Sequence, residues 1–385
     1  MELNYQQNDG KLTIFLPETI DTSNASDVEA AILKTLNGKQ VVSLSLDAVN
    51  TQYVSSVGLR LVLKLSRTYK DFAVINCSSE VYDTFDITGF TKILNIQKAL
   101  REISIAGCPL IGKGAYGRVY RIGDDLVLKS FFRGNPISDI ERERSLAREA
   151  FILGIPTAIS FDVVKVKEEC YGAVYELINS DSLLACFKKR PEDYEKYLNL
   201  YADLLKKLRQ TKTDSDQFPY LTKDLEYRLG KIQMVCDPEF YEAIAKRIRT
   251  IKDEDTLVHG DCHFKNIFVT DDGLLMIDMD TLSRGNPIME MANLYRSYVC
   301  FEVIDPGNIE AFMGVSADFC KKVYEDLFEK LYGNEPDKKA IQDRISFLAY
   351  FLLLSHYAGQ TEKNAKEAEK TEEIIRSLLP CVDSY

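Results

Sequence analysis

The feature that most constrains this 385-residue chain is the run Val258-His259-Gly260-Asp261-Cys262-His263-Phe264-Lys265-Asn266-Ile267-Phe268, followed a short hairpin's length later by Met276-Ile277-Asp278-Met279-Asp280. Two acids and one amide, Asp261, Asp278 and Asn266, are held at fixed spacing between apolar residues of strand type. Any one of these acids alone reads as a solvated surface group. Together they match what phosphoryl transfer needs: a carboxylate beside the attacking hydroxyl, and an amide and a second carboxylate for the magnesium ions that bridge the phosphates. On this reading Asp261 faces the acceptor hydroxyl, while Asn266 and Asp278 hold metal.

The upstream half agrees. Residues 109–129 carry Gly112, Gly114 and Gly117 between two alternating apolar runs, then Gly123-Asp124-Asp125 as turn chemistry and Lys129 at the end of the next strand. A lone glycine triplet is a weak signal. Followed by Val119 and then Lys129, it reads as a glycine flap over a triphosphate with a lysine reaching the phosphates. No helix opens directly after the third glycine, which argues against a dinucleotide-binding turn. Ile137, Ile140, Leu146, Ala150 and Leu153 predict a helix over 137–153. Glu141, Glu143 and Glu149 on it are candidates to pair with Lys129. Their distance from the Gly154-Ile155-Pro156 break favours Glu143, against a solvated helix face for each.

From about residue 108 to 385 the chain resembles the aminoglycoside phosphotransferase and choline kinase superfamily, small-molecule relatives of the protein kinases. The resemblance lies in "IERER" before "GIPTA", "GAVYELI", "VHGDCHFKNIF" and "MIDMDTLSRGNP". It implies an α+β bilobal protein-kinase-like fold, with an N-lobe over 109–180 and a mainly helical C-lobe over 181–385. It implies ATP under a loop of Gly112, Gly114, Tyr116, Gly117 and Val119, with Glu176 to Ile178 bordering the adenine. Lys129 would pair with Glu143, Asp261 would be the catalytic acid, and Asn266 and Asp278 would ligate Mg2+. His263 stands where protein kinases carry a phosphate-binding lysine. Two departures bear on the substrate: Glu290 stands where an aspartate commonly braces the catalytic loop, and the glycine loop is closer to a protein kinase's.

Residues 1–103 have a different rhythm. Strands at Leu12–Leu16, Val41–Leu46 and Phe72–Asn76 alternate with helices over 26–36, 56–69 and 79–86, which argues an α/β layer with a single sheet. A segment at Ile93–Ile96 and a last amphipathic helix over 97–104 are expected to close it. "LPETIDTSNASDVEAAI", "VVSLSLDAVNTQYVSSVGLRLVL" and "FDITGFTKILNI" resemble the STAS domain of anti-sigma-factor antagonists. That family's switch is a serine at the N-terminus of the second helix, where a phosphate meets unpaired backbone N–H groups. With Gly58 aligned, Val57 falls at the usual acceptor position, so Ser56 is a displaced candidate phosphosite. Helix capping by Ser55 and Ser56 is the alternative. Residues 104–108 form a short, apolar connection, from which contact between the two domains is expected.

Composition narrows the classes. A net charge of −11 with no Lys/Arg block disfavours a nucleic-acid partner. Nine cysteines at irregular spacing, with no CxxC, argue against a disulfide framework or zinc site and fit a reducing cytoplasm. The N-terminus lacks the pattern of a signal peptide. The apolar segment Ile345–Leu354 is too short to span a bilayer and reads as a buried helix. A tyrosine stripe at Tyr194, Tyr197 and Tyr201 reads as core. Only twelve positions separate Asp278 from Glu290, too few for the segment that presents a peptide to a protein kinase. The expected acceptor is therefore a hydroxyl on a small molecule, with the STAS-like module regulating the enzyme or docking a protein partner. A signalling kinase acting on a serine of its own or a partner's STAS domain is the second reading, and a non-catalytic nucleotide-binding scaffold the third.

Overall fold

The computed structural model describes residues 1–8, 10–114, 116–167, 171–358 and 364–383. The chain divides into two units, Met1–Ser104 and Ile105–Tyr385. In the first, the strands are β1 (Tyr5–Asn8), β2 (Lys11–Phe15), β3 (Thr19–Ile20), β4 (Ser43–Asp47), β5 (Tyr53–Val54), β6 (Asp71–Cys77), β7 (Asn95–Lys98) and β8 (Glu102–Ile103). The helices are α1 (Ala25–Leu36), α2 (Ser56–Thr68) and α3 (Ser79–Ile87). The sheet runs β1-β2-β4-β6-β7, with β2, β4, β6 and β7 parallel and β1 antiparallel to β2. Leu12, Ile14, Leu44, Leu46 and Val74 are buried with Val28 and Ile32 of α1 and Val62 and Leu65 of α2. Covering a parallel sheet with helices explains why its central strands are so apolar.

One local expectation fails in this unit. No helix covers 97–104: Asn95–Lys98 is the edge strand, with Ile96 turned inward and its neighbours exposed. The Ala99 N–H donates to the Cys77 carbonyl at 2.7 Å, extending the attachment to β6. The pattern there repeats every two residues, and the apolar positions are too few to sustain a helical face. Strand β1 also escapes the sequence reading, because all four of its residues are exposed.

At the start of α2, Ser55 is the N-cap and its side chain accepts from the Val57 N–H. A Cβ on Gly58 would lie 2.8 Å from Val54 Cγ1 and 2.9 Å from Ile20 Cγ2, so close packing against the β3–β5 pair fixes this glycine. Ser56 is exposed one residue inside the helix. The Arg60 guanidinium lies one turn on, 3.5 Å from Ser56 Oγ.

The second unit begins with β9 (Leu110–Lys113), β10 (Gly117–Arg121) and β11 (Leu126–Phe131), then α4 (Ile137–Ile152), β12 (Ser160–Val166) and β13 (Tyr171–Glu176). These strands lie in the order β12-β13-β11-β10-β9, and their neighbouring pairs are antiparallel. Its helical part comprises α5 (Leu183–Lys189), α6 (Tyr194–Gln210), α7 (Leu221–Gln233) and α8 (Pro238–Ile248). Strands β14 (Leu257–Val258), β15 (Ile267–Thr270), β16 (Gly273–Met276) and β17 (Ser283–Arg284) follow, then α9 (Ile288–Tyr295), α10 (Phe301–Ile304), α11 (Asn308–Met313), α12 (Ala317–Tyr332), α13 (Lys338–Tyr357) and α14 (Ala365–Leu378). Residues 345–354 are buried throughout in α13. Among the described residues no helix is long and apolar enough to cross a membrane. Tyr197 and Tyr201 are fully buried on α6, so the tyrosine stripe is core.

Candidate active site

The site draws residues from the sheet, from α4 and from the segment around β15 and β16. In the sheet, Val119 of β10 pairs with Lys129 of β11, which pairs in turn with Ala173 of β13. The glycine turn between β9 and β10 needs Gly117 for a steric reason: a Cβ there would sit 2.1 Å from the Ser130 carbonyl oxygen. Gly112 packs more loosely, against Val119, and a Cβ on Gly114 would meet open space. Tyr116 is exposed, and its carbonyl accepts the Phe132 N–H at 3.0 Å. Ala115, within this turn, lies outside the described residues. Glu176 ends β13, where the Leu177 N–H donates to the Asp125 carbonyl, and Ile178 follows half-buried.

Of the three candidate glutamates, the structure brings Glu143 to Lys129. Lys129 Nζ donates to Glu143 Oε1 and Oε2 at 2.9 and 3.2 Å and to Asp278 Oδ1 at 2.6 Å. Burial by itself would lower the lysine, but the two carboxylates outweigh it and hold the ammonium well above its ordinary range. Burial raises the Glu143 carboxyl, against the opposing pull of Lys129. Tyr175 adds a long contact to Glu143 at 3.5 Å.

On the helical side, the β15–β16 hairpin sets the register of the motif. Ile267 pairs with Met276, and beyond them the Ile277 N–H donates to the Asn266 carbonyl at 2.9 Å. Asp278 follows in the left-handed backbone region at φ 59°. That conformation costs an L-residue roughly 1–2 kcal/mol, and Asp and Asn tolerate it best among residues with a side chain. Asn266 Nδ2 donates to Asp261 Oδ2 at 3.0 Å and to the Asp261 carbonyl at 3.1 Å. Burial raises the Asp261 carboxyl; His259 and then Arg296 oppose this. Asp280, two residues after Asp278, is half-buried and raised by burial, with Lys129 pulling the other way. Its signal was the Asp-x-Asp spacing already visible in the motif.

His263 Nε2 lies 3.7 Å from Asp261 Oδ1. Burial pushes its pKa down to about 4, so at neutral pH it presents a neutral imidazole, not the charge a lysine would bring. Glu290 of α9 is buried, and its Oε2 accepts the N–H groups of His259 at 2.6 Å and Gly260 at 3.3 Å. Burial raises this carboxyl to about 7, against those two bonds. Cys262, between Asp261 and His263, is fully buried with its Sγ 3.6 Å from Met276 Sδ, and its carbonyl accepts from the Tyr201 hydroxyl. Burial first, then the Glu290 and Asp261 carboxylates, hold its thiol far above the ordinary range.

Lys129→Met is expected to lower kcat/KM roughly 10²–10³-fold, the usual cost of removing one donor from a preorganised charge-stabilising site. Steady-state kinetics measure it, with thermal unfolding alongside to separate lost charge from lost fold. Normal efficiency in a folded variant would mean that this lysine holds no phosphate.

The family model described as "Phosphotransferase enzyme family" matches residues 107–309, and the STAS domain model matches residues 2–103. No curated protein matches the chain. Among solved structures, the ADP-bound aminoglycoside phosphotransferase APH(2'')-Ib is 14% identical, with 79% of this chain and 99% of that one covered and a TM-score of 0.50. Aminoglycoside phosphotransferase APH(4)-Ia is 12% identical, covers 72% of this chain and 94% of its own, and also has a TM-score of 0.50. At that identity the likeness is one of fold.

Proposed function

The chain belongs to the phosphotransferase enzyme family, and on that premise we propose that it transfers the γ-phosphoryl group of ATP to a hydroxyl of a small molecule. The observation that carries this reading is the convergence of Lys129, Glu143 and Asp278, drawn from β11, α4 and the turn after β16, beside the bonded pair Asp261–Asn266. Lys129 would place its charge on the nucleotide phosphates, oriented by Glu143. The Asp261 carboxylate would accept the hydroxyl proton as that oxygen bonds to the γ-phosphorus. The bond from the γ-phosphorus to the β–γ bridging oxygen breaks, and ADP leaves with that oxygen.

The donor set fits magnesium. Asn266 spends its Nδ2 on Asp261, which leaves the amide oxygen for a ligand. Asp278 has Oδ2 beyond the Oδ1 that meets Lys129. Among the described residues no group of three or more His, Cys, Asp or Glu side chains is arranged to hold a metal. Magnesium suits such a site, since it is usually bound through one or two carboxylates together with phosphate oxygens and water. When bound, it neutralises charge on the β- and γ-oxygens.

A small acceptor is supported by what lies between Asp278 and Glu290: one 3-10 turn, the two-residue β17 and the first residues of α9. The free thiols of Cys77, Cys108, Cys186, Cys236, Cys262, Cys300, Cys320 and Cys381 fit a reducing, cytoplasmic setting. The STAS domain would regulate the enzyme or dock a protein partner through the surface around Ser55 and Ser56. The exposed Ser56, with Arg60 one turn on, offers a phosphate both a helix N-terminus and a guanidinium.

γ-Labelled ATP and magnesium with the full chain, without and then with a panel of alcohols, test the reading. Label on a metabolite is the expected result. Label on Ser56 would favour the signalling kinase, and ATP binding with neither label nor ADP release would leave a scaffold. For the STAS part, Ser56→Asp in the full chain is expected to change the rate or the partners retained in a pull-down without lowering the unfolding temperature. Indistinguishable rates and partners would leave this surface without a regulatory role.

A further inference from the structure

Two buried hydroxyls meet the backbone on either side of His263. Tyr298 lies within a π-helical stretch, Arg296–Cys300, that continues α9, and such local widenings recur at functional sites. Its hydroxyl accepts the Phe264 N–H at 2.8 Å and stands 3.2 Å from the Tyr201 hydroxyl of α6. The Tyr201 hydroxyl in turn donates to the Cys262 carbonyl. With that proton spent, the bond between the two phenols runs from Tyr298 to Tyr201. The donors are then Phe264 N–H, Tyr298 O–H and Tyr201 O–H in series, ending on the Cys262 carbonyl. Both tyrosines are fully buried. Burial, before any other cause, holds their hydroxyls protonated, far above the ordinary range.

The two ends of this series belong to the peptide planes that flank His263. The Cys262 carbonyl lies in the plane before its Cα and the Phe264 N–H in the plane after, so together they fix both soft dihedrals of the histidine. The His263 N–H donates to the Asp261 carbonyl at 2.9 Å, and the His263 carbonyl accepts the Asn266 N–H at 2.8 Å. The Phe264 ring stacks on Tyr298 with centroids 4.7 Å apart. At the side chain, His263 Nε2 lies 3.7 Å from Asp261 Oδ1, and the Phe312 ring stands edge-on at 5.7 Å. Packing alone would be met by phenylalanine at both positions, without the cost of burying two hydroxyls.

We propose that Tyr298 and Tyr201 are positioning residues for phosphoryl transfer: by fixing the backbone of His263 they hold its imidazole at Asp261, where the acceptor hydroxyl meets the γ-phosphoryl group. This rests on the phosphotransferase reading above. Neither phenol is open to a ligand, and both act through the loop. A misplacement of about 1 Å at such a site can cost on the order of 10²-fold in rate. Nucleotide affinity, assigned to Lys129 and the glycine turn, should not respond.

The test is ADP release from ATP and magnesium by the full chain, with each alcohol of the panel above and with water alone as acceptor. Every variant is assayed well below its unfolding temperature. Tyr298→Phe is expected to lower kcat roughly 10–10²-fold and to leave KM for ATP unchanged. Tyr201→Phe should also lower kcat, and the double variant should lose no more than Tyr298→Phe alone, because one series of bonds is broken once. Tyr197→Phe is the control: it lies on the same helix, its hydroxyl is 3.5 Å from Asp193, and it should keep kcat. Unchanged kcat in a folded Tyr298→Phe, losses that add in the double variant, or an equal loss in Tyr197→Phe would overturn the proposal. Should Tyr298→Phe fail to fold, Tyr201→Phe carries the test, and unchanged kcat there counts against it. No ADP release by the unaltered chain with any of these acceptors would instead bring down the phosphotransferase reading, and the proposal with it.

Discussion

Asp278→Asn should abolish measurable turnover, with a loss on the order of 10³-fold or more, since a metal-held phosphoryl site depends on several kcal/mol of charge stabilisation. The substitution isolates charge from shape. Asn keeps the size of the side chain, and it accepts the left-handed backbone that Asp278 adopts. It removes the anion that meets Lys129 at 2.6 Å and the carboxylate assigned to magnesium. Chelation of magnesium from the unaltered enzyme should have the same consequence. The measurement is ADP release under saturating ATP, repeated over a magnesium titration. Full activity in the variant, or in excess chelator, would remove the metal assignment.

Asp261→Ala is expected to lower kcat by roughly 10²–10⁴-fold, the range for loss of a positioned general base, while leaving the affinity for ATP within a few-fold. Asp261, the residue proposed for the acceptor hydroxyl, is bonded to Asn266, whereas Lys129 bonds Glu143 and Asp278. An interaction realised chiefly in the transition state shows in kcat and not in nucleotide binding. The unaltered enzyme should carry a matching signature in its pH profile. Burial raises the Asp261 carboxyl, so the working carboxylate is lost as pH falls through a value above the ordinary aspartate range. The acid limb of kcat/KM is therefore displaced upward, and Asp261→Ala should lack it. Weakened ATP binding with unchanged turnover at saturation would make Asp261 a structural residue.

Much of this arrangement was legible because it depends on local spacing. A hairpin of fixed length decides where Asn266 and Asp278 fall relative to Asp261, and the chain writes that length directly. The pairing of Lys129 with a glutamate of α4 was harder. Periodicity places Glu141, Glu143 and Glu149 on one helix but does not say which faces the sheet; the angle at which α4 lies on it decides, and that angle is tertiary. The bond from the Tyr201 hydroxyl to the Cys262 carbonyl was not legible at all: it reaches the loop from α6, 61 residues away in sequence, and no spacing within the motif signals it. The misread helix over 97–104 is a different kind of failure. A few apolar residues among charged ones fit two periods, and the open edge of β6 selected the shorter one.

The buried thiol of Cys262, next to Asp261, gives this loop a built-in clock. Cys262 cannot meet a solvent-borne alkylating reagent while its sulfur packs on Met276 and its carbonyl holds the Tyr201 hydroxyl. Alkylation at that position, followed by peptide mass mapping to separate it from the exposed Cys381, would therefore count opening events of the loop itself. A ligand that fastens the loop should slow the clock, whether or not it is ever turned over.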